Sequence, residues 1–163
     1  MSQSFIWKGM LAGLAGGFVA SWAMVQTHAV LLSLARKPAQ QSQGEDSTVK
    51  AARSIARPIL DRELTPAEAK AAGPIVHYAF GSSVAAAYGA AAELAPVLTR
   101  GVGLPFGTAV WMGAHVTIAP ALGFSPPVTQ SPASSEVAEF VAHLVYGAAT
   151  ELIRRGVRRM LGR

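Results

Sequence analysis

The residues that could do chemistry in this chain are ionisable side chains embedded in apolar sequence. Its four histidines, His28, His77, His115 and His143, fall one in each of four apolar stretches. Glu93 and Glu151 stand late in the second and fourth of these. Imidazole titrates at about pH 6.5, so such a set could relay protons or sense pH. Paired imidazoles could also hold a b-type haem or a metal. His28, however, lies off the small-residue ridge of its stretch and His77 lies only a turn inside its own, so no cofactor is expected. Hydrogen bonding between helices is the simplest role. Glu151 precedes Arg154 and Arg155 at the spacing of ion pairs on one helix face, and Glu139 precedes His143 likewise. Glu93 has no basic residue within a helical turn. In apolar surroundings it must be protonated, paired across helices or close to headgroups. The candidate polar site is therefore Glu93, His115, His77, His143 and Glu151. A nucleophile–base triad, P-loop, dinucleotide fingerprint and metalloprotease helix are all lacking, and no enzymatic activity is expected. With no cysteine, thiolate ligands, thiol nucleophiles and disulfides are excluded.

The elements that position these residues follow from the distribution of charge. Only 14% of residues are charged and 51% are apolar, and no charge occurs from Gly9 to Ala35 or from Gly101 to Ser135. Such runs suit a bilayer, whereas an Ala-rich soluble bundle would need a charged surface. The expected fold is all-α: a single polytopic membrane domain over residues 1–163, with spans at about 7–34, 74–98, 102–123 and 136–153. The first apolar run is too long for a signal peptide and lacks a small-x-small cleavage site before Arg36, so it reads as a retained helix. Between the first two spans, residues 36–73 form a polar segment. Gln40 to Ser47 reads as loop, and Thr48 to Arg57 as a basic helix that Pro58 stops or kinks. It could lie on a membrane surface or cap the bundle. Thr65-Pro66-Ala67-Glu68 should start a short capped helix that Gly73-Pro74 breaks. Ser135 is a plausible N-cap for the fourth span, which is short enough that three spans and a surface helix is the alternative.

A repeat ties the stretches together. Tyr88-Gly89-Ala90-Ala91-Ala92-Glu93-Leu94 recurs as Tyr146-Gly147-Ala148-Ala149-Thr150-Glu151-Leu152, six identities in seven at a spacing of 58. Two parallel repeated hairpins are the expected organisation. Four-residue spacing then aligns His77, Gly81, Ala85, Gly89 and Glu93, and likewise Glu139, His143, Gly147, Glu151 and Arg155. The first span offers Gly9, Gly13, Gly17 and Ser21, and the third Gly103, Gly107, Trp111 and His115. Small residues on such ridges let helix backbones approach closely, so Gly13, Gly17, Gly81, Gly89 and Gly147 are expected packing positions, with the ionisable groups beside them.

Four landmarks in order, Gly73-Pro74-Ile75-Val76-His77-Tyr78-Ala79-Phe80-Gly81, Tyr88-Gly89, Gly107 with Trp111, His115, Pro120 and Gly123-Phe124-Ser125, and His143-Leu144-Val145-Tyr146-Gly147, resemble the YagU-like family of small bacterial inner-membrane proteins. The resemblance implies a multi-pass bacterial plasma-membrane protein of undefined biochemical role and supplies no catalytic residues. The partners expected are the lipid bilayer and either a second copy or another membrane protein. The basic pI is better explained by headgroups than by nucleic acid. Lys8, Arg100 and the C-terminal arginines fall on one face, which points to cytoplasmic termini. Alternative functions are a small proton- or ion-coupled carrier using Glu93 and His115, and a haem-binding electron carrier.

Overall fold

A computed structural model describes residues 4–34 and 46–162, and all regular structure among them is helical. Helix α1, Ser4–Leu34, is one uninterrupted helix because its sequence has no proline and no charge after Lys8. Among the described helices, one is long and apolar enough to cross a membrane, over Phe5–Leu34. The exit sequence Arg36-Lys37-Pro38 and the loop expected at Gln40, up to residue 45, lie outside the described residues.

Helix α2, Ser47–Leu60, starts where the Asp46 carboxylate accepts the Thr48 N–H at 2.8 Å. Pro58 sits inside its last turn without ending it, and Asp61 closes it in the left-handed region at φ 52°. Helix α3, Pro66–Leu94, begins with the full capping box between Thr65 and Glu68. Gly73-Pro74 does not break it, so the short helix and the second expected span are one element. An interior proline costs about 3 kcal/mol in isolation, and here Gly73 offsets it by letting α2 lie tightly against α3. A Cβ on Gly73 would stand 2.8 Å from Val49 Cγ2.

After the turn at Gly101, Val102 and Gly103, all at positive φ, helix α4 runs Leu104–Val110. It continues as a π-helix over Trp111–Ile118 and as α5, Ala119–Ala121. Pro120 has no N–H and its ring would crowd the carbonyl four residues back. Widening the preceding turns relieves that crowding, and the Ala119 N–H bonds the Ala114 carbonyl five residues back. Helix α6, Ala133–Met160, starts two residues before Ser135, after Pro132, with no side-chain cap hydrogen bond. It carries on past Ile153 through the arginines.

Helix α1 packs against both α3 and α6, α2 against α3, and α4 against α6. The contacts are backbone to backbone. A Cβ on Gly89 would overlap the Gly9 carbonyl, one on Gly13 the Ala85 carbonyl, and one on Gly147 the Gly103 carbonyl. Gly17 and Gly81 sit as closely, against Ala85 and Ser21. The interior is correspondingly small: Ala12, Ala20, Ala69, Ala85 and Ala142 are fully buried. The largest fully buried side chains are Glu151, Thr150 and Ser21, while Phe18, Trp22, Phe80, Met112 and Leu152 are exposed.

Candidate functional site

The five polar residues singled out from the sequence do not form one site. They divide between the two ends of the bundle, because α6 carries partners for both groups far apart. Glu136 and Arg158 are separated by about 33 Å along that helix at roughly 1.5 Å per residue.

At one end Glu151 is completely buried and holds three groups. Arg154 donates to it from Nε at 2.7 Å and from Nη2 at 2.9 Å, Arg155 donates from Nε at 2.6 Å, and the Tyr88 hydroxyl donates from α3 at 2.9 Å. The same-helix spacing of Glu151, Arg154 and Arg155 places all three on the face that packs inward. Glu93 finds its partner across helices: Arg158 grips both its oxygens, at 2.8 and 3.1 Å, with Arg154 at 3.8 Å. That pairing has no local spacing to reveal it, since 65 residues separate the two. Arg155 also donates to the Thr99 carbonyl at 2.9 Å, and Lys8 reaches the Gly162 carbonyl at 3.4 Å. The start of α1, the turn after α3 and the end of α6 therefore meet at this end. A second tyrosine, Tyr146, crosses from α6 to donate to the Gly81 carbonyl at 2.6 Å. Tyr88 and Tyr146 open the two copies of the repeated heptapeptide, so the repeat is the sequence signal that marks both.

At the other end three of the four histidines gather around two carboxylates of α6. His115 Nε2 lies 2.9 Å from Glu136, and His28 Nε2 lies 3.2 Å from Glu139. The His143 Nδ1–H donates to the Glu139 carbonyl at 2.8 Å, and its ring lies 6.1 Å from that of His115. His77 stays at the edge, with Nε2 3.4 Å from the Ser21 carbonyl. The π-helical turns position His115, which stacks on Trp111 at 6.3 Å, and Trp111 in turn meets Phe140 of α6. The Trp111 indole N–H is buried without a hydrogen-bond acceptor. Glu136, in the first turn of α6, is the partner of His115. Among the described residues no three histidine or carboxylate groups converge as metal ligands.

Residues 63–152 match the family described as Protein of unknown function (DUF1440), which is more than half of the chain. The chain belongs to that family. The matched region runs from Glu63, just before the cap of α3, to Leu152 in α6, so it contains Tyr88, Tyr146, Glu93, Glu151 and three of the four histidines. No curated protein and no solved structure matches the chain.

Proposed function

We propose that this chain is a multi-pass integral protein of the bacterial inner membrane, with four spans arranged as two related hairpins, and that it acts without catalysing a reaction. The observation that carries the reading is the inversion of its interior. Fully buried positions hold Glu151, Thr150, Ser21 and alanines, while Phe18, Trp22, Phe80, Met112 and Leu152 point outward. In water that arrangement would expose large apolar side chains and bury charge, which opposes folding. In hydrocarbon the outward groups are matched to their solvent and the inward ones are satisfied by each other. Only 17% of the most apolar window of α1 is buried, unlike the core helix of a soluble protein. The packing of α1 against both α3 and α6 also speaks against a cleaved leader. Equivalent close approaches at Gly89 with Gly9 and at Gly147 with Gly103 support the two-hairpin organisation, and the YagU-like resemblance points to the same compartment. Because these glycine ridges are used within the chain, association with a second copy would need a different face.

The protein lacks cysteine, so single cysteines test topology directly. With cytoplasmic termini, an impermeant maleimide should label Glu63→Cys and Gln130→Cys from outside intact spheroplasts, and Arg100→Cys and Met160→Cys only after permeabilisation. Labelling of all four from one side would overturn the four-span reading.

A proton-linked role is the second reading, favoured by the histidine–carboxylate cluster. Imidazoles from α1, the π-helix and α6 lie beside Glu136 and Glu139 at one end, close enough to exchange protons, with His77 of α3 at the edge. Glu93, paired with Arg158 at the other end, is no part of that cluster. Proton flux in proteoliposomes that His115→Gln leaves unchanged would sink this role.

A further inference from the structure

A cavity of about 410 Å³ opens at the arginine-bearing end, lined by Phe5, Glu93, Arg154, Arg155, Arg158 and Arg159. Its charge does not balance. Four guanidiniums stand against only two carboxylates, Glu93 and Glu151, which leaves two positive charges unmatched; Arg154, Arg155 and Arg158 are the ones in contact with them. The acids are also already engaged: Glu151 accepts from Arg154, Arg155 and Tyr88, and Glu93 from Arg158. The Arg159 guanidinium has no hydrogen-bond or ion-pair partner among the described residues, and Arg159 is exposed at the cavity rim. The paired carboxylates fix the arginines beside it, so their remaining N–H groups are held in place rather than free to turn away. The apolar side of the cavity is the Phe5 ring, over which the Arg158 guanidinium lies at 5.8 Å.

The geometry points to a binding site for a phosphate group in this cavity, held by Arg155, Arg158 and Arg159. A planar guanidinium offers paired donors that match phosphate oxygens, and such bonds are among the stronger ones available to a protein. Two unmatched positive charges suit a group carrying one or two negative charges. The phosphate could belong to an anionic lipid headgroup or to a soluble phosphate, and the cavity chemistry is the same for both. The site does not depend on the membrane reading, since a soluble phosphate would fill it equally.

The full chain, purified in an uncharged detergent, is titrated with inorganic phosphate, with short-chain phosphatidic acid and with phosphatidylcholine of the same chain length, using native mass spectrometry and calorimetry. One saturable site is expected for phosphatidic acid, at least tenfold weaker in Arg159→Gln and weaker again in Arg159→Glu. Both substitutions leave the described ion pairs intact, so the folded state is retained, and circular dichroism verifies it. Arg62→Gln, at the far end of the bundle, should bind as the parent does. Binding of phosphatidic acid without inorganic phosphate identifies a lipid headgroup as the source; equal and competing binding of inorganic phosphate identifies a soluble one. Either result upholds the site. Binding of neither, or binding that is equal for phosphatidylcholine or indifferent to both Arg159 variants, overturns it.

Discussion

Replacing Gly89 by alanine should destabilise the protein, and replacing Gly156 by alanine should stabilise it. A Cβ on Gly89 would overlap the Gly9 carbonyl oxygen and stand 3.1 Å from the Gly13 Cα. Carbon atoms in comfortable contact are about 3.5–4.0 Å apart, so α1 and α3 must part by about half an ångström or more. A gap of that size forfeits roughly a quarter of the dispersion attraction for every atom pair along the crossing. Overpacking of this kind costs about 1–3 kcal/mol. Gly156 lies inside α6 with nothing within 4 Å of where its Cβ would be. Alanine there removes only the glycine penalty, a gain of about 0.5–1 kcal/mol. The two variants carry the same chemical change and differ in sign. Unfolding by sodium dodecyl sulfate in mixed micelles, followed by circular dichroism, measures both. If Gly89→Ala lowers stability no more than Gly156→Ala does, close backbone approach is not what holds α1 to α3.

Glu151→Ala should cost about 3–5 kcal/mol in the same assay, because it leaves the buried Arg154 without its charge partner. Tyr88→Phe, which removes one hydrogen bond to a carboxylate that keeps its two arginines, should cost about 1.5 kcal/mol, near the low end for charged acceptors. A Glu151→Ala loss no greater than the Tyr88→Phe loss would refute the buried-charge account. The Arg62 hydrogen bond, with those from Thr65, holds the Glu68 carboxyl at about 2, below its ordinary 4.5. The capping contribution of Glu68 is thus present above about pH 4.5 and lost as pH falls through about 2. Carboxyl-carbon NMR should show that titration, moving back towards the ordinary value in Arg62→Gln; an unmoved midpoint would discard the ion pair as its cause.

Helical class and the positions of close approach were legible in the sequence because both rest on local spacing. Long uncharged runs predict helices, and glycines four apart predict the faces where backbones meet, as at Gly13, Gly81, Gly89 and Gly147. The ion pair of Glu151 with Arg154 and Arg155 was legible for the same reason. What spacing could not supply was the partner of Glu93, since Arg158 reaches it across helices. Nor could it show that Glu93 and His115 sit at opposite ends, which depends on which turn of α6 each one faces. Gly73-Pro74 misled because a glycine–proline pair is an ordinary helix stop. Here the packing of α2 on Gly73 outweighs that local preference. The π-helix at His115 is likewise a response to Pro120 within the fold, with no composition signal of its own.

If the exposed apolar belt faces hydrocarbon, Trp22 must sit deep within the bilayer. Trp22 is 55% exposed and lies about 4.5 Å along α1 from the middle of that helix. In a variant whose only tryptophan is Trp22, reconstituted with lipids brominated at successive acyl positions, fluorescence should be quenched most by bromines deep in the chains. Absence of quenching, or quenching only by bromines near the headgroups, would contradict a membrane-spanning α1 and the inverted core built around it.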